Sequence, residues 1–225
     1  MQAVSLKVGT TYSARYVNQL YKQLKHADQR IEFTCLTDDA EGLKKEINVI
    51  PITDDFQDRK WWNKTKLFKP GLFKEPTLYL DLDCYVHQKF IDEEKPWGLE
   101  PFFNCSVKDK LNILKTYWFS EDTAKKIHQC DINSSIMVIN ESNGEPMWRD
   151  FVDNQEMLYK SFYGLDPWLY RRHRNNLNFF KPGLAYSYKH GCVFPDDVKA
   201  NTFRQIPICV LDDVNDRGEI LDGLW

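Results

Sequence analysis

The stretch TLYLDLDCYV (77–86) sets Asp81 and Asp83 one residue apart at the end of an apolar run. Alternate side chains of a strand share a face, so the spacing predicts two carboxylates projecting together while Leu82 turns into a core. Side by side, two carboxylates repel unless a cation lies between them. Hard oxygen donors suit Mg²⁺ or Mn²⁺, which keep waters or phosphate oxygens in the rest of their shell. The pair therefore predicts a divalent ion carrying a phosphate; the alternative is a hydrogen-bonded turn at a strand end.

Several elements must position that pair. AVSLKV (3–8) reads as a strand, Gly9 and Thr10 as a turn, and Tyr16, Val17, Leu20, Tyr21 and Leu24 recur at helical spacing. Strands are expected at IEFTCLT (31–37), INVIPI (47–52) and TLYLDLD (77–83), the last preceded by a Trp-rich stretch, RKWWNKTKLF. A Pro-rich section without clear period (95–120) separates these from SSIMVIN (134–140), a further strand. An amphipathic helix is expected over 146–163 and a second from Asp166 and Pro167, where Asp caps and Pro suits the first turn. LAYSY (184–188) and PICVL (207–211) complete the strand candidates. Strands alternating with helices predict an α/β chain, one domain over residues 1–225, with a largely parallel sheet covered on both faces. Ligands of such sheets bind beyond the carboxyl ends of the strands, where residues 9–12 and the acidic pair both fall.

Composition narrows the partners. Of the 225 residues, 30 are basic and 33 acidic, so no global field points to nucleic acid. No stretch is long and apolar enough to span a membrane, and the first residues lack the pattern of a signal peptide. The six cysteines form no C-x-x-C pair, and three lie in strand-like runs, as expected of buried free thiols in a reducing cytoplasm.

Two enzyme classes use an apolar strand ending in Asp-x-Asp. In haloacid-dehalogenase-like phosphatases the first Asp is a nucleophile near the start of the core domain, with Thr or Val four residues on. Here that position is Tyr85, and a strand, a helix and two more strands precede Asp81. MVINESN (137–143) and VLDDV (210–214) keep a faint likeness to that class. In the other class, the nucleotide-sugar glycosyltransferases of the GT-A fold, the pair lies about a third of the way along, as here. Sugar nucleotidyltransferases share the general fold but place a Gly-rich basic loop after the first strand, which Val8, Gly9, Thr10 and Thr11 do not make.

Taken in order, KVGTTYSARYVNQLY, CLTDD, WWNKTKLF, YLDLD, INSSIMVIN and GLDPWLY resemble bacterial and viral glycosyltransferases akin to the family-8, glycogenin-like group. The resemblance runs from about residue 4 to 195. It implies a Rossmann-like GT-A domain moving a hexose from a UDP-sugar, UDP-glucose or UDP-galactose, to an acceptor hydroxyl with retention. The acceptor, a sugar, glycan, lipid or protein hydroxyl, stays open.

By the same resemblance Val8, Gly9, Thr10 and Tyr12 form the nucleoside pocket, Tyr12 facing the uracil, and Asp38, with Asp39, meets the base or ribose. Lys64 reaches the donor phosphates or sugar. Asp83 binds the metal directly, and Asp81 binds it directly or through water while meeting the ribose. Asn133 and Ser134 face the donor sugar, with Ser135 where the family has Gly. Asp166 lies near the sugar ring and acceptor, although its partner Gln is replaced by Pro167. The family's third metal ligand, a C-terminal His in a His-x-Gly setting followed by Lys, has no direct counterpart. His190, or Asp212 or Asp213, is the candidate, with Lys189 replacing the lysine that clamps the diphosphate. Bland alternatives stand beside these: a surface turn for His190, a helix cap for Asp166, packing for Trp61 and Trp62, and a solvated helix face for RRHRNN (171–176).

Overall fold

A computed structural model of the chain describes residues 1–53, 60–86, 99–104, 106–117, 130–190 and 208–211. β1 (Gln2–Lys7) leads through a turn into α1 (Ala14–Ala27), which buries Val17, Leu20 and Leu24 along one face. β2 (Glu32–Thr37), β3 (Asn48–Pro51), a 3-10 helix (Lys60–Phe68), β4 (Thr77–Leu80) and β5 (Cys84–Val86) follow. Next come a short α2 (Glu100–Asn104), β6 (Leu111–Lys115), β7 (Ile132–Ile139), α3 (Glu141–Ser161) and α4 (Leu165–Arg172). The described elements end with β8 (Leu177–Phe179), β9 (Ala185–Ser187) and β10 (Ile208–Val210).

Seven strands form one sheet in the order β3-β2-β1-β4-β7-β6-β8, and β5-β10-β9 form a second. In the large sheet only β7 runs against its neighbours; the β1, β2, β3 and β4 pairings and that of β6 with β8 are parallel. The mostly parallel α/β sheet expected from the sequence is present.

Period-two alternation divides the core. Ala3, Phe33, Leu78, Leu80, Ile136 and Val138 face α1 and the small sheet. Val4, Leu36, Tyr79, Met137 and Ile139 face the 3-10 helix, α3 and α4, where Trp62 packs against Phe151, Tyr159 and Trp168. Burying each such side chain contributes about 1.5–3 kcal/mol, so the two faces together fix where β4 ends. Cys35, Cys84, Cys130 and Cys209 are buried, and burial pushes the Cys35 and Cys130 thiols up to about 12. Cys105 and Cys192 lie outside the described residues. No helix among the described residues is long and apolar enough to cross a membrane.

Three boundaries differ from expectation. TLYLDLD is not one strand: β4 stops at Leu80, and Leu82 and Asp83 turn the chain into β5 of the second sheet. The long helix begins at Glu141 rather than Pro146, because Asn140 and Asn143 cap its start reciprocally, each side chain accepting from the other's backbone N–H at 3.0 Å. That cap occupies the polar end of MVINESN. β6 lies inside the section that showed no period.

Candidate active site

The site is built where β4 runs out. Alternation sends Leu78 and Leu80 toward α1 and Tyr79 toward the 3-10 helix and α4, so Asp81, two residues beyond Tyr79, takes the same side. The Asp81 N–H still donates to the Ser135 carbonyl at 2.9 Å, while the Asp81 carbonyl accepts from the Cys84 N–H at 3.0 Å and closes a turn. Asp81 and Asp83 therefore share a pocket through this turn and not through strand alternation.

Two neighbours hold Asp81. Lys64 Nζ donates to Oδ2 at 2.6 Å, and the Tyr79 hydroxyl donates to Oδ1. Lys64 also lies 3.3 Å from Ser134 Oγ. Burial pulls the Lys64 ammonium down, but Asp81, Asp166 and Asp83 outweigh it and hold its pKa above the ordinary value. Burial, followed by the charge of Asp81, raises the Tyr79 phenol well above its usual range, so Tyr79 stays a neutral donor. Tyr79 was not among the sequence candidates; its place two residues before Asp81 was the available signal.

β7 supplies the opposite wall. Its pairing with β6 slips between Ile113, opposite Met137, and Leu114, opposite Asn133, leaving Ser134 and Ser135 out of that ladder. Such a bulge re-aims side chains, and Asn133, Ser134 and Ser135 all line the pocket. Asn133 Oδ1 accepts from the Ser135 N–H at 2.7 Å, and Asp166 Oδ1 accepts from the Ser134 N–H at 3.1 Å. Asp166 is not the cap of α4; Gly164 is, and Asp166 in the first turn reaches across to β7 instead. Burial raises the Asp166 carboxyl, opposed by Lys64 and by hydrogen bonding from Ser134.

The pocket, about 340 Å³, is lined by Val8, Thr11, Tyr12, Trp61, Lys64 and Tyr79 together with Asp81, Asp83, the β7 residues and Asp166. Tyr12 meets Tyr16 edge-on at 5.1 Å. Gly9 has a φ of 68°, which favours glycine, and its N–H donates to Asp38 Oδ2 at 2.8 Å. Asp38 thus ties the loop after β1 to the loop after β2, and neither Gly9, Thr10 nor Asp38 is part of the pocket lining. Asp39 accepts from buried Lys7 through both its carbonyl, at 2.9 Å, and its carboxylate, at 3.4 Å.

The small sheet ties β9 and β10 to the turn at Asp83. Val210 pairs with Cys84 and with Ser187, and the Leu211 N–H donates to the Asp83 carbonyl at 3.2 Å. Lys189 and His190 thus follow β9 at the same end of this sheet at which Leu211 follows β10. Lys189 is exposed, His190 is half-buried with its N–H on Ser187 Oγ at 3.1 Å, and neither lines the pocket. Asp212 and Asp213 lie outside the described residues.

Among the described residues no three His, Cys, Asp or Glu side chains group closely enough to hold one ion. The pocket lining is nonetheless acidic, the donor chemistry a hard divalent cation would require: three carboxyl groups, Asp81, Asp83 and Asp166, and one ammonium, Lys64. An anionic diphosphate would be repelled without added positive charge. An ionised carboxylate has about four lone-pair sites, so Asp81 can keep Lys64 and Tyr79 and still ligate.

Of RRHRNN, Arg172 and His173 bind Asp150 and Arg174 reaches Asp131 at 3.3 Å while lying 4.4 Å above the Tyr170 ring. Arg172 thus joins α4 to α3, and Arg174, just beyond α4, reaches the residue before β7.

No family model matches the chain, and no curated protein matches it by sequence. Solved structures do. The galactosyltransferase LgtC in complex with donor and acceptor sugar analogs superposes with a TM-score of 0.62 at 15% identity, over 93% of this chain and 86% of that one. A glycosyltransferase involved in glycosylation of the major capsid of PBCV-1 gives 0.58 at 15% identity, over 98% of both chains. The glycosyltransferase GlyE of Streptococcus pneumoniae TIGR4 gives 0.62 at 16% identity, over 92% of this chain and 53% of its own. These likenesses establish the fold: the chain has the GT-A architecture of glycosyltransferases.

Proposed function

We propose that this chain is a metal-dependent glycosyltransferase, a single GT-A-like domain moving a hexose from a UDP-sugar to an acceptor hydroxyl. The observation that carries the reading is the convergence of Lys64, Asp81, Asp83, Ser134 and Asp166 on one pocket at the carboxyl end of β4. The galactosyltransferase bound to donor and acceptor sugar analogs among the structural neighbours supports a sugar donor; UDP-galactose and UDP-glucose are the donors this reading proposes.

In this reading residues 8–12 receive the nucleoside, with Tyr12 against the base. Asp83 and Asp81 ligate Mn²⁺ or Mg²⁺, and His190 or the acidic residues after Leu211 complete the set. The bound ion supplies neutralising charge to the diphosphate as the C1–O bond breaks. Lys64, held charged beside Asp81, presents its ammonium toward the donor, and Lys189 adds a second cation. Asn133 and Ser134 face the donor sugar. Asp166 orients the acceptor hydroxyl and favours the positive character that develops at C1. Retention follows a front-side path: the acceptor oxygen bonds C1 on the face the diphosphate leaves, and its proton passes to the departing β-phosphate oxygen.

Incubation with UDP-glucose or UDP-galactose, with and without Mn²⁺, tests the reading. Metal-dependent release of UDP is expected. Acid-labile phosphate on Asp81 would instead establish the phosphatase chemistry, and UDP held without breakage of either donor would mark a non-catalytic binder.

A further inference from the structure

Trp61 and Trp62 are neighbours with opposite fates. Trp62 is 2% exposed in the core, whereas Trp61 is 59% exposed and forms part of the pocket rim with Lys64, Asp81 and Asp166. Tyr163, 80% exposed, stands in the turn between α3 and α4, three residues before Asp166. The Trp61 and Tyr163 ring centroids are 5.7 Å apart with planes tilted by 37°. Two large rings turned out together beside a catalytic-type pocket are an unusual exposure, because aromatic faces gain most when covered.

We infer that Trp61 and Tyr163 form the acceptor subsite and that the acceptor is a saccharide, one pyranose ring lying on this pair with a hydroxyl directed at Asp166. The inference rests on the transferase reading and names the acceptor class that reading leaves open.

The chemistry matches a sugar best. A pyranose offers one face of C–H groups to an aromatic ring and equatorial hydroxyls to carboxylates at its edge. Here the apolar surface is two rings wide and gives way directly to Asp166 and Asp81. An extended peptide would seek a strand edge, yet the pocket opens at β4, in the centre of the large sheet, with its edges β3 and β8 strands away. Ring exposure also explains the departure from the packing role expected of Trp61.

The test measures UDP release from UDP-glucose and UDP-galactose with Mn²⁺, using methyl α- and β-glycosides of glucose, galactose and mannose, octanol, and a Ser/Thr peptide mixture as acceptor probes. The parent is expected to use at least one glycoside in preference to octanol and peptide. Trp61→Ala and Tyr163→Ala should each raise the KM for that glycoside about tenfold, with kcat changed less, and Trp61→Phe should restore most of it. A parental glycoside KM in both alanine variants overturns the inference. So does a parent that glycosylates peptide or octanol and ignores every glycoside; in either case the transferase reading stands. A parent that neither binds UDP nor releases it from a donor removes the transferase reading, and this inference with it.

Discussion

Lys64 Nζ lies 2.6 Å from Asp81 Oδ2, joining the 3-10 helix to the residue that follows β4. Both side chains are mostly covered, at 14% and 20% exposure, so neither partner can be removed without leaving the other short of a charge. Lys64→Ala should lower stability by about 2 kcal/mol, the cost of stranding a partly buried charged group. Because the two share one interaction, the double variant Lys64→Ala, Asp81→Asn should lose less than the sum of the single changes, as urea unfolding of the four proteins would measure.

Tyr79→Phe deletes the hydroxyl that holds Asp81 Oδ1 while leaving the buried ring to pack. A loss of about 1 kcal/mol in stability is expected. Among the described residues Asp81 then keeps Lys64, and UDP affinity in the presence of Mn²⁺ should fall about tenfold, the size of one lost orienting hydrogen bond. Titration calorimetry reads the second effect separately from the first.

Asp166 holds its proton more tightly in the folded chain than in the unfolded one, because burial raises it from the ordinary 3.8. Folding therefore takes up a proton between those two titrations. The associated stability is fully present below the unfolded value and is lost as pH rises through the folded one. Asp166→Asn, which keeps an acceptor oxygen for the Ser134 N–H, should be more stable than the parent at about pH 7, with the gain shrinking toward about pH 4. Its transfer rate should drop about a hundredfold or more. Urea midpoints at the two pH values, together with a rate measurement, check both halves.

Gly144 sits where α3 crosses the 3-10 helix: an added Cβ would lie 3.2 Å from Phe68 Cα and 3.3 Å from the Phe68 carbonyl oxygen. Alanine would gain up to about 1 kcal/mol of helix propensity. Overpacking against backbone costs about 1–3 kcal/mol and should win. Gly144→Ala is expected to be destabilised by about 1 kcal/mol, and to weaken nucleotide binding because the displaced helix carries Lys64.

How much of this was legible in the sequence depends on where the determining contacts are. β1, β2, β4 and β7 are mostly buried, β4 throughout, and their apolar pattern located them within a few residues. β6 escaped because Asn112, its second residue, is polar yet buried, its NH₂ donating to the Val107 and Lys110 carbonyls and its oxygen accepting from the Val107 N–H and from Asn178. The acidic pair was visible as Asp-x-Asp. A turn at the strand end was the alternative reading of the pair, but the strand it enters was not visible, since β5 pairs with β10, more than a hundred residues later. Likewise, nothing local distinguishes Trp61 from Trp62; the docking of the 3-10 helix on α3 and α4 decides which one is buried. Asp166 read equally well as a cap, and only the bulge in β7 reveals that its carboxylate bonds Ser134.

The most direct test of the donor site is calorimetric titration of UDP, GDP and ADP, with and without Mn²⁺, into the parent and into Asp83→Ala. Binding of UDP in preference to the others, dependent on metal and abolished by Asp83→Ala, is the expected result. Equal binding of UDP by the parent and Asp83→Ala, with no response to metal, would contradict a metal-bridged UDP-sugar site at the end of β4.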